Sequence, residues 1–171
     1  MKICFRTEVI TQVFLSEIKA NGGHVGLFSQ SVDWVRFPSI YTEDSCICLR
    51  DETEYVLGLY DSTSLNVAVI GYNIKGKSCV VYQLQGLFAG ELLLLRGWER
   101  TLLATIVRLA KLSGLTKVEV VPSHKNRWYP QGEYDKALRN QFHLRYDVTS
   151  QFLGFNIAHQ DSNENHVLRL T

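Results

Sequence analysis

Between Ser78 and Val121 the chain reads strand, irregular loop, amphipathic helix, strand, and this order limits its topology more than any other stretch. From Trp98 onward the apolar residues Trp98, Leu102, Leu103, Ile106, Val107, Leu109, Ala110 and Leu112 recur at three- and four-residue spacing. Arg100, Thr101, Thr105, Arg108 and Lys111 fill the rest of the wheel, which predicts one helix with a broad buried face. Cations near its end suit the helix dipole, and Gly114 supplies a stop that tolerates positive φ. A strand–helix–strand crossover brings its second strand parallel to the first, so Lys117 to Val121 is expected beside Ser78 to Leu87. The loop ahead of the helix delivers Arg96 and Gly97 to the unpaired amides of its first turn, where the dipole favours an anion such as phosphate.

Elsewhere the periodicities are shorter. Lys2 to Phe5 reads as a strand, and Thr7 caps a helix to about Ala20 with Val9, Ile10, Val13, Phe14 and Ile18 as its stripe. Residues 24 to 44 read as irregular, a loop or short elements. Cys46 to Arg50, Tyr55 to Tyr60, Asn66 to Ile74 and Ser78 to Leu87 are strand candidates, the last two joined by the hairpin-length break Lys75-Gly76-Lys77. After Pro122 a polar, aromatic insertion leads to a helix near Glu133 to His143. Phe152 to Ala158 and His166 to Leu170 then read as closing strands around a turn from Gln160 to Asn165. The expected class is α/β, with an antiparallel meander followed by a parallel β-α-β crossover in one domain spanning residues 1 to 171.

Composition narrows the function classes. The longest purely aliphatic run, Leu92 to Leu95, is far short of the roughly 20 residues a membrane helix needs, and the first residues do not form a secretory signal, so a cytoplasmic location is expected. Cys46 and Cys48 share a strand face while Cys4 and Cys79 sit in other apolar segments, a pattern of reduced core thiols. His24, His124, His143, His159 and His166 lack the paired spacing of a metal site, and no metal is expected. Charge is uneven: residues 1 to 95 carry net −3, residues 96 to 145 net +6 and residues 146 to 171 net −2, within an overall +1. A basic middle block beside an anion site points to a phosphorylated ligand or to nucleic acid, against the alternative of a solvated helix face. Within it, His124-Lys125-Asn126-Arg127-Trp128-Tyr129-Pro130 interleaves bases with aromatics. Such a segment can stack a nucleobase, or its rings can plug the core while Lys125 and Arg127 face water.

Arg96-Gly97-Trp98-Glu99-Arg100-Thr101-Leu102-Leu103, the helix and strand after it, and Leu153-Gly154-Phe155 ahead of the last strand together resemble the GNAT acyltransferase superfamily over roughly residues 45 to 171. The resemblance implies a GNAT-like mixed central sheet with helices on both faces, acetyl- or another acyl-coenzyme A as donor, and a small-molecule or peptide amine as acceptor. It implies donor contacts from Leu84, Gln85, Arg96, Gly97, Trp98, Arg100, Thr101 and Asn126. Acyl transfer to an amine needs a base and an acid for the leaving thiolate. Glu91, in the loop after the central strand, and His124, at the carboxyl edge of the parallel strand, are the candidate bases. Ser150 stands where the family often has its acidic tyrosine, and Tyr146, four residues earlier, is the candidate acid. Glu99 and Thr101 stand where the family favours glycine and glycine or alanine, which keeps the backbone from a diphosphate and adds a like charge. Two function classes stay open: a divergent acyl-coenzyme A-dependent N-acyltransferase, or a non-catalytic GNAT-like binding module for nucleic acid or a protein partner. The sequence leaves the oligomeric state open.

Overall fold

The computed structural model describes residues 23–29, 36–38, 46–48, 53–61, 66–86, 97–127, 129–131, 135–159 and 162–171. The strand and helix expected over Lys2 to Phe5 and Thr7 to Ala20 lie outside these residues, as do Glu91, Arg96 and Trp128.

Six strands form one sheet: β1 (Gly23–Ser29), β4 (Tyr55–Asp61), β5 (Asn66–Lys75), β6 (Ser78–Gly86), β7 (Lys117–Val120) and β8 (His166–Arg169), ordered β1-β4-β5-β6-β7-β8. A separate two-stranded sheet pairs β2 (Arg36–Pro38) with β3 (Cys46–Cys48). The meander β1-β4-β5-β6 is antiparallel throughout, β6 and β7 are parallel, and β8 returns antiparallel to β7. This mixed sheet realises the meander-then-crossover order expected from the sequence.

The crossover helix α1 (Trp98–Leu112) forms as its periodicity demands, burying Trp98, Leu102, Leu103, Ile106, Leu109 and Ala110. These pack on Leu57 of β4, Ala68, Ile70 and Tyr72 of β5, Cys79, Val81 and Leu84 of β6, and Val118 and Val120 of β7. Gly114 at φ 72° ends the helix: its N–H bonds Lys111 O and the next N–H, of Leu115, bonds Ala110 O, satisfying two terminal carbonyls. Cys79 is a fully buried free thiol whose burial pushes its pKa up, as expected of a core cysteine. Val69 and Val80 are buried as well, so both sheet faces are covered there.

Two sequence readings are corrected. Residues 24 to 44 include most of β1 and all of β2: β1 is an edge strand among the described residues, its two glycines, Gly23 and Gly26, weaken its local signal, and pairing along β4 creates the strand nonetheless. Phe152 to Ala158 is not a strand. A helical segment α2 (Lys136–His143) runs through a π turn (Leu144–Val148) into α3 (Thr149–Phe152), Gly154 reverses the chain at φ 82°, and only Asn156 pairs, with Val167.

Candidate active site

β6 and β7 share their last pair at Val81 and Val120, and Val121 N–H still bonds Val81 O at 3.0 Å. Beyond that the strands part. β6 continues to Gly86 along β5, while β7 gives way to Pro122 and a short 3-10 turn (Ser123–Lys125). The β5–β6 register shifts just there, with Tyr72 opposite Val81 and Gly71 opposite Gln83, so Tyr82 is an extra residue on β6. Such a bulge bends its strand and re-aims the side chains beyond it.

Three elements converge on the opening. The ring of Trp98, first residue of α1, lies against the end of β6, where a Cβ on Gly86 would meet Trp98 Cζ2 at 2.6 Å. The Arg145 guanidinium, in the π turn, sits 5.8 Å from the centre of that ring. Tyr146, 2% exposed, sends its hydroxyl to β6: Leu84 N–H donates to the phenol oxygen at 2.8 Å, and the phenol approaches Leu84 O at 3.4 Å. Phe142 stacks on Tyr146 at 6.0 Å between centroids, and Tyr129 meets Phe142 edge-on at 6.0 Å. Ser150, one turn on, is wholly buried with its hydroxyl unpartnered among the described residues.

The helix start has its own anion. Gly97, at φ 79°, supplies the N-cap without a side-chain cap, and Thr101 turns its hydroxyl back onto Gly97 O at 3.3 Å. Glu99 stands in that first turn with its side chain partly buried. Burial pushes its pKa above the ordinary 4.5, against the opposing pull of its own backbone N–H, Arg145 and Arg100. Arg145 is lowered mainly by its own burial, and Arg100 stacks on the exposed Phe152 ring at 3.8 Å.

Across the opening, His124 lies in the 3-10 turn with its Nε2 buried and unpartnered among the described residues, and Asn126 is buried two residues on. Leu84 is a core residue whose backbone serves Tyr146, and Gln85 accepts from Gln83 Nε2 at 2.6 Å. Tyr146, Leu84, Gly97, Trp98 and Arg145 thus surround the end of β6, with His124 and Asn126 just past the end of β7.

The sequence did not reveal a second cluster. Asp147 accepts from Ser123 N–H at 2.9 Å, Ser123 Oγ at 2.6 Å, His143 Nδ1 at 2.8 Å and His166 Nε2 at 2.8 Å. Burial opposes ionisation, but these donors hold the carboxyl well below the usual range. Only His143 and Asp147, four residues apart on one helix face, were locally legible.

Five cations of the basic block have the following places. Lys117 Nζ pairs with Glu119 at 2.7 Å, Lys125 Nζ donates to Glu164 O at 2.7 Å, Arg145 is half-buried by Trp98, and Lys111 stands at the far end of α1 from Arg100. Among the described residues no group of three His, Cys, Asp or Glu could hold a metal ion, and no helix is long and apolar enough to cross a membrane.

No protein-family profile matches the sequence, and no curated protein matches it either. Solved structures similar to it include the PaiA N-acetyltransferase of Thermoplasma acidophilum in complex with coenzyme A, at 14% identity and TM-score 0.43 over 68% of this chain and 59% of that one. The GNAT family N-acetyltransferase YhbS of Escherichia coli in complex with CoA is 14% identical, with TM-score 0.41 over 70% and 60%. The ribosomal-protein-S18-alanine N-acetyltransferase of Escherichia coli is 12% identical, with TM-score 0.44 over 86% and 93%. The chain thus spans about three fifths of the first two. These are likenesses of fold at low identity, and residue roles rest on this chain's own geometry.

Proposed function

We propose that the chain is a divergent acyl-coenzyme A-dependent N-acyltransferase acting on a small-molecule or peptide amine at the opening between β6 and β7. The observation that supports it most is the Tyr146 hydroxyl on the Leu84 backbone, where β6 has lost its parallel partner. When bound, an acyl thioester would supply a carbonyl carbon open to attack by an amine; the chain's own work is to move protons. Tyr146 is the proton donor. The Leu84 N–H on its oxygen stabilises the negative charge left as the proton departs to the leaving thiolate, and the bond that proton gives up is the long one to Leu84 O at 3.4 Å. His124, with its buried free Nε2, is the candidate acceptor for the amine proton. Glu91 remains an alternative base and Arg96 a phosphate contact on sequence grounds. Leu84, Gln85, Gly97, Trp98, Arg100, Thr101 and Asn126 are the residues proposed to hold the donor.

The two ends of this site fit such a donor unequally. Leu84, Tyr146 and His124 suit the thioester end. At the diphosphate end Glu99 stands in the first turn of α1, and its charge repels phosphate. That observation favours a second reading, a GNAT-like module that binds a protein or nucleic acid without coenzyme A.

Calorimetry with acetyl-coenzyme A on the wild type, Glu99→Gly and Tyr146→Phe separates the two. The acyltransferase reading expects binding by all three, several-fold tighter in Glu99→Gly, with Tyr146→Phe lowering kcat by about 100-fold or more while binding persists. No heat from any of the three, with all folded, overturns it and leaves the binding module.

A further inference from the structure

We propose that Asp147 is the positioning residue that aims the Tyr146 hydroxyl at Leu84, a role that rests on Tyr146 acting as the proton donor. Tyr146 lies within a π turn, and such turns are rare, arise mostly as single-turn insertions and concentrate at functional sites. A chain free to choose would tighten to α geometry, so the wide turn needs an outside hold. Asp147 is the next residue, and it is gripped from three directions: Ser123 N–H and Oγ in the turn after β7, His143 one turn back on its own helix, and His166 on β8.

His166 is itself fixed. It is 2% exposed, and its Nδ1 accepts from Ala158 N–H at 3.1 Å, so the proton on Nε2 is the one given to Asp147. Bonds to a carboxylate are shorter and stronger than neutral ones, and here they tie the π turn to both β7 and β8. Successive residues point about 100° apart on an α-helix and somewhat less on a π turn, so neighbours still face different ways. With Asp147 turned toward Ser123 and His166, the rotation of the turn is set, and Tyr146 faces β6. The cluster is no hydrolytic triad, because Ser123 Oγ donates to Asp147 rather than to a histidine, and both nitrogens of His166 are engaged.

The test uses the full chain with Asp147→Asn and His166→Gln, and Tyr146→Phe as reference. The primary readout is the amide resonance of Leu84, whose N–H bonds the phenol and which a merely structural role of Asp147 would leave in place. The second is kcat and KM with acetyl-coenzyme A and a panel of primary amines. Positioning requires that the Leu84 amide shift in Asp147→Asn in the same direction as in Tyr146→Phe, with kcat per folded protein falling about 10- to 100-fold and donor KM little changed. An unmoved Leu84 resonance in a folded Asp147→Asn, however much its melting temperature drops, overturns the proposal. If Asp147→Asn does not fold, His166→Gln supplies the same readout by removing one grip only. Absence of turnover in the wild type, with the Leu84 resonance still responding to both substitutions, sinks the acyl-transfer reading and leaves the positioning of Tyr146 standing.

Discussion

Glu99 shows how one side chain changes what a helix start can bind. The first turn of a long helix presents unpaired amides and a positive dipole end, and Glu99 places a carboxylate there from within the chain. Burial nonetheless disfavours its charge more than its own N–H and the two arginines favour it, so its pKa in the fold lies above the ordinary 4.5. For a group raised on folding, the stabilisation is complete below the unfolded value and is lost as pH rises through the folded one. Above the raised pKa the protein therefore carries the penalty of a half-buried charge. Glu99→Gln should raise the melting temperature at pH 7 by about 1–2 °C, discounted for partial exposure, and the difference should vanish near pH 4. A lower melting temperature in the variant at pH 7 would mean that Arg145 and Arg100 outweigh the burial. At this scale the sequence revealed Glu99 as out of place and Tyr146 as an acid candidate. It could not reveal Asp147 with Ser123 and His166, because these lie 24 and 19 residues apart and meet only when the strands are assembled.

Among elements, the end of β6 and the start of α1 meet at the candidate site, Trp98 lying against Gly86. The periodicity of α1 and its Gly114 stop were legible because local geometry determines them, and so was the parallel placement of β7, because a helical crossover leaves few alternatives. β1 was not legible, since its pairing with β4 is a tertiary event, and the end of α3 reads as strand because Leu153, Phe155 and Ile157 recur at two-residue spacing across a glycine turn. The bulge at Tyr82 had one signal, Gly71 inside an otherwise strong strand. There a Cβ would stand 2.8 Å from Thr53 Cγ2 and 3.2 Å from Gln83 Cβ. Gly86 is tighter still against a rigid ring, with Trp98 Cζ2 at 2.6 Å and Cε2 at 2.8 Å. Gly86→Ala must push the indole off β6 and is expected to cost about 1–3 kcal/mol, the range for overpacking a filled site. Chemical denaturation checks this, and a cost below about 0.5 kcal/mol, the level of ordinary surface changes, would show that the start of α1 is not anchored on β6.

Over the whole molecule, charge counted along the sequence and charge arranged in space give different answers. The net +6 of residues 96 to 145 suggests a nucleic-acid surface, but a duplex or single strand is gripped by cations that can reach neighbouring phosphates together. The fold sends Lys117 to Glu119, Lys125 to a backbone carbonyl, Arg145 to the Trp98 ring and Arg100 to Phe152. Arg100 and Lys111, eleven residues apart on one helix, are separated by about 16 Å of rise. Tyr129 packs on Phe142 rather than standing out as a stacking platform. These engaged cations give few phosphates a joint grip, and each phosphate neutralised contributes a slope of about −0.9 in log K against log salt on duplex DNA. Fluorescence anisotropy with labelled single- and double-stranded oligonucleotides is therefore expected to give weak binding with a slope no steeper than about −2, and no more than a small loss on charge reversal of Lys125 and Arg127. A slope of about −5 or steeper, abolished by that reversal, would mean that the dispersed cations do act as one surface and would move the balance toward the binding module.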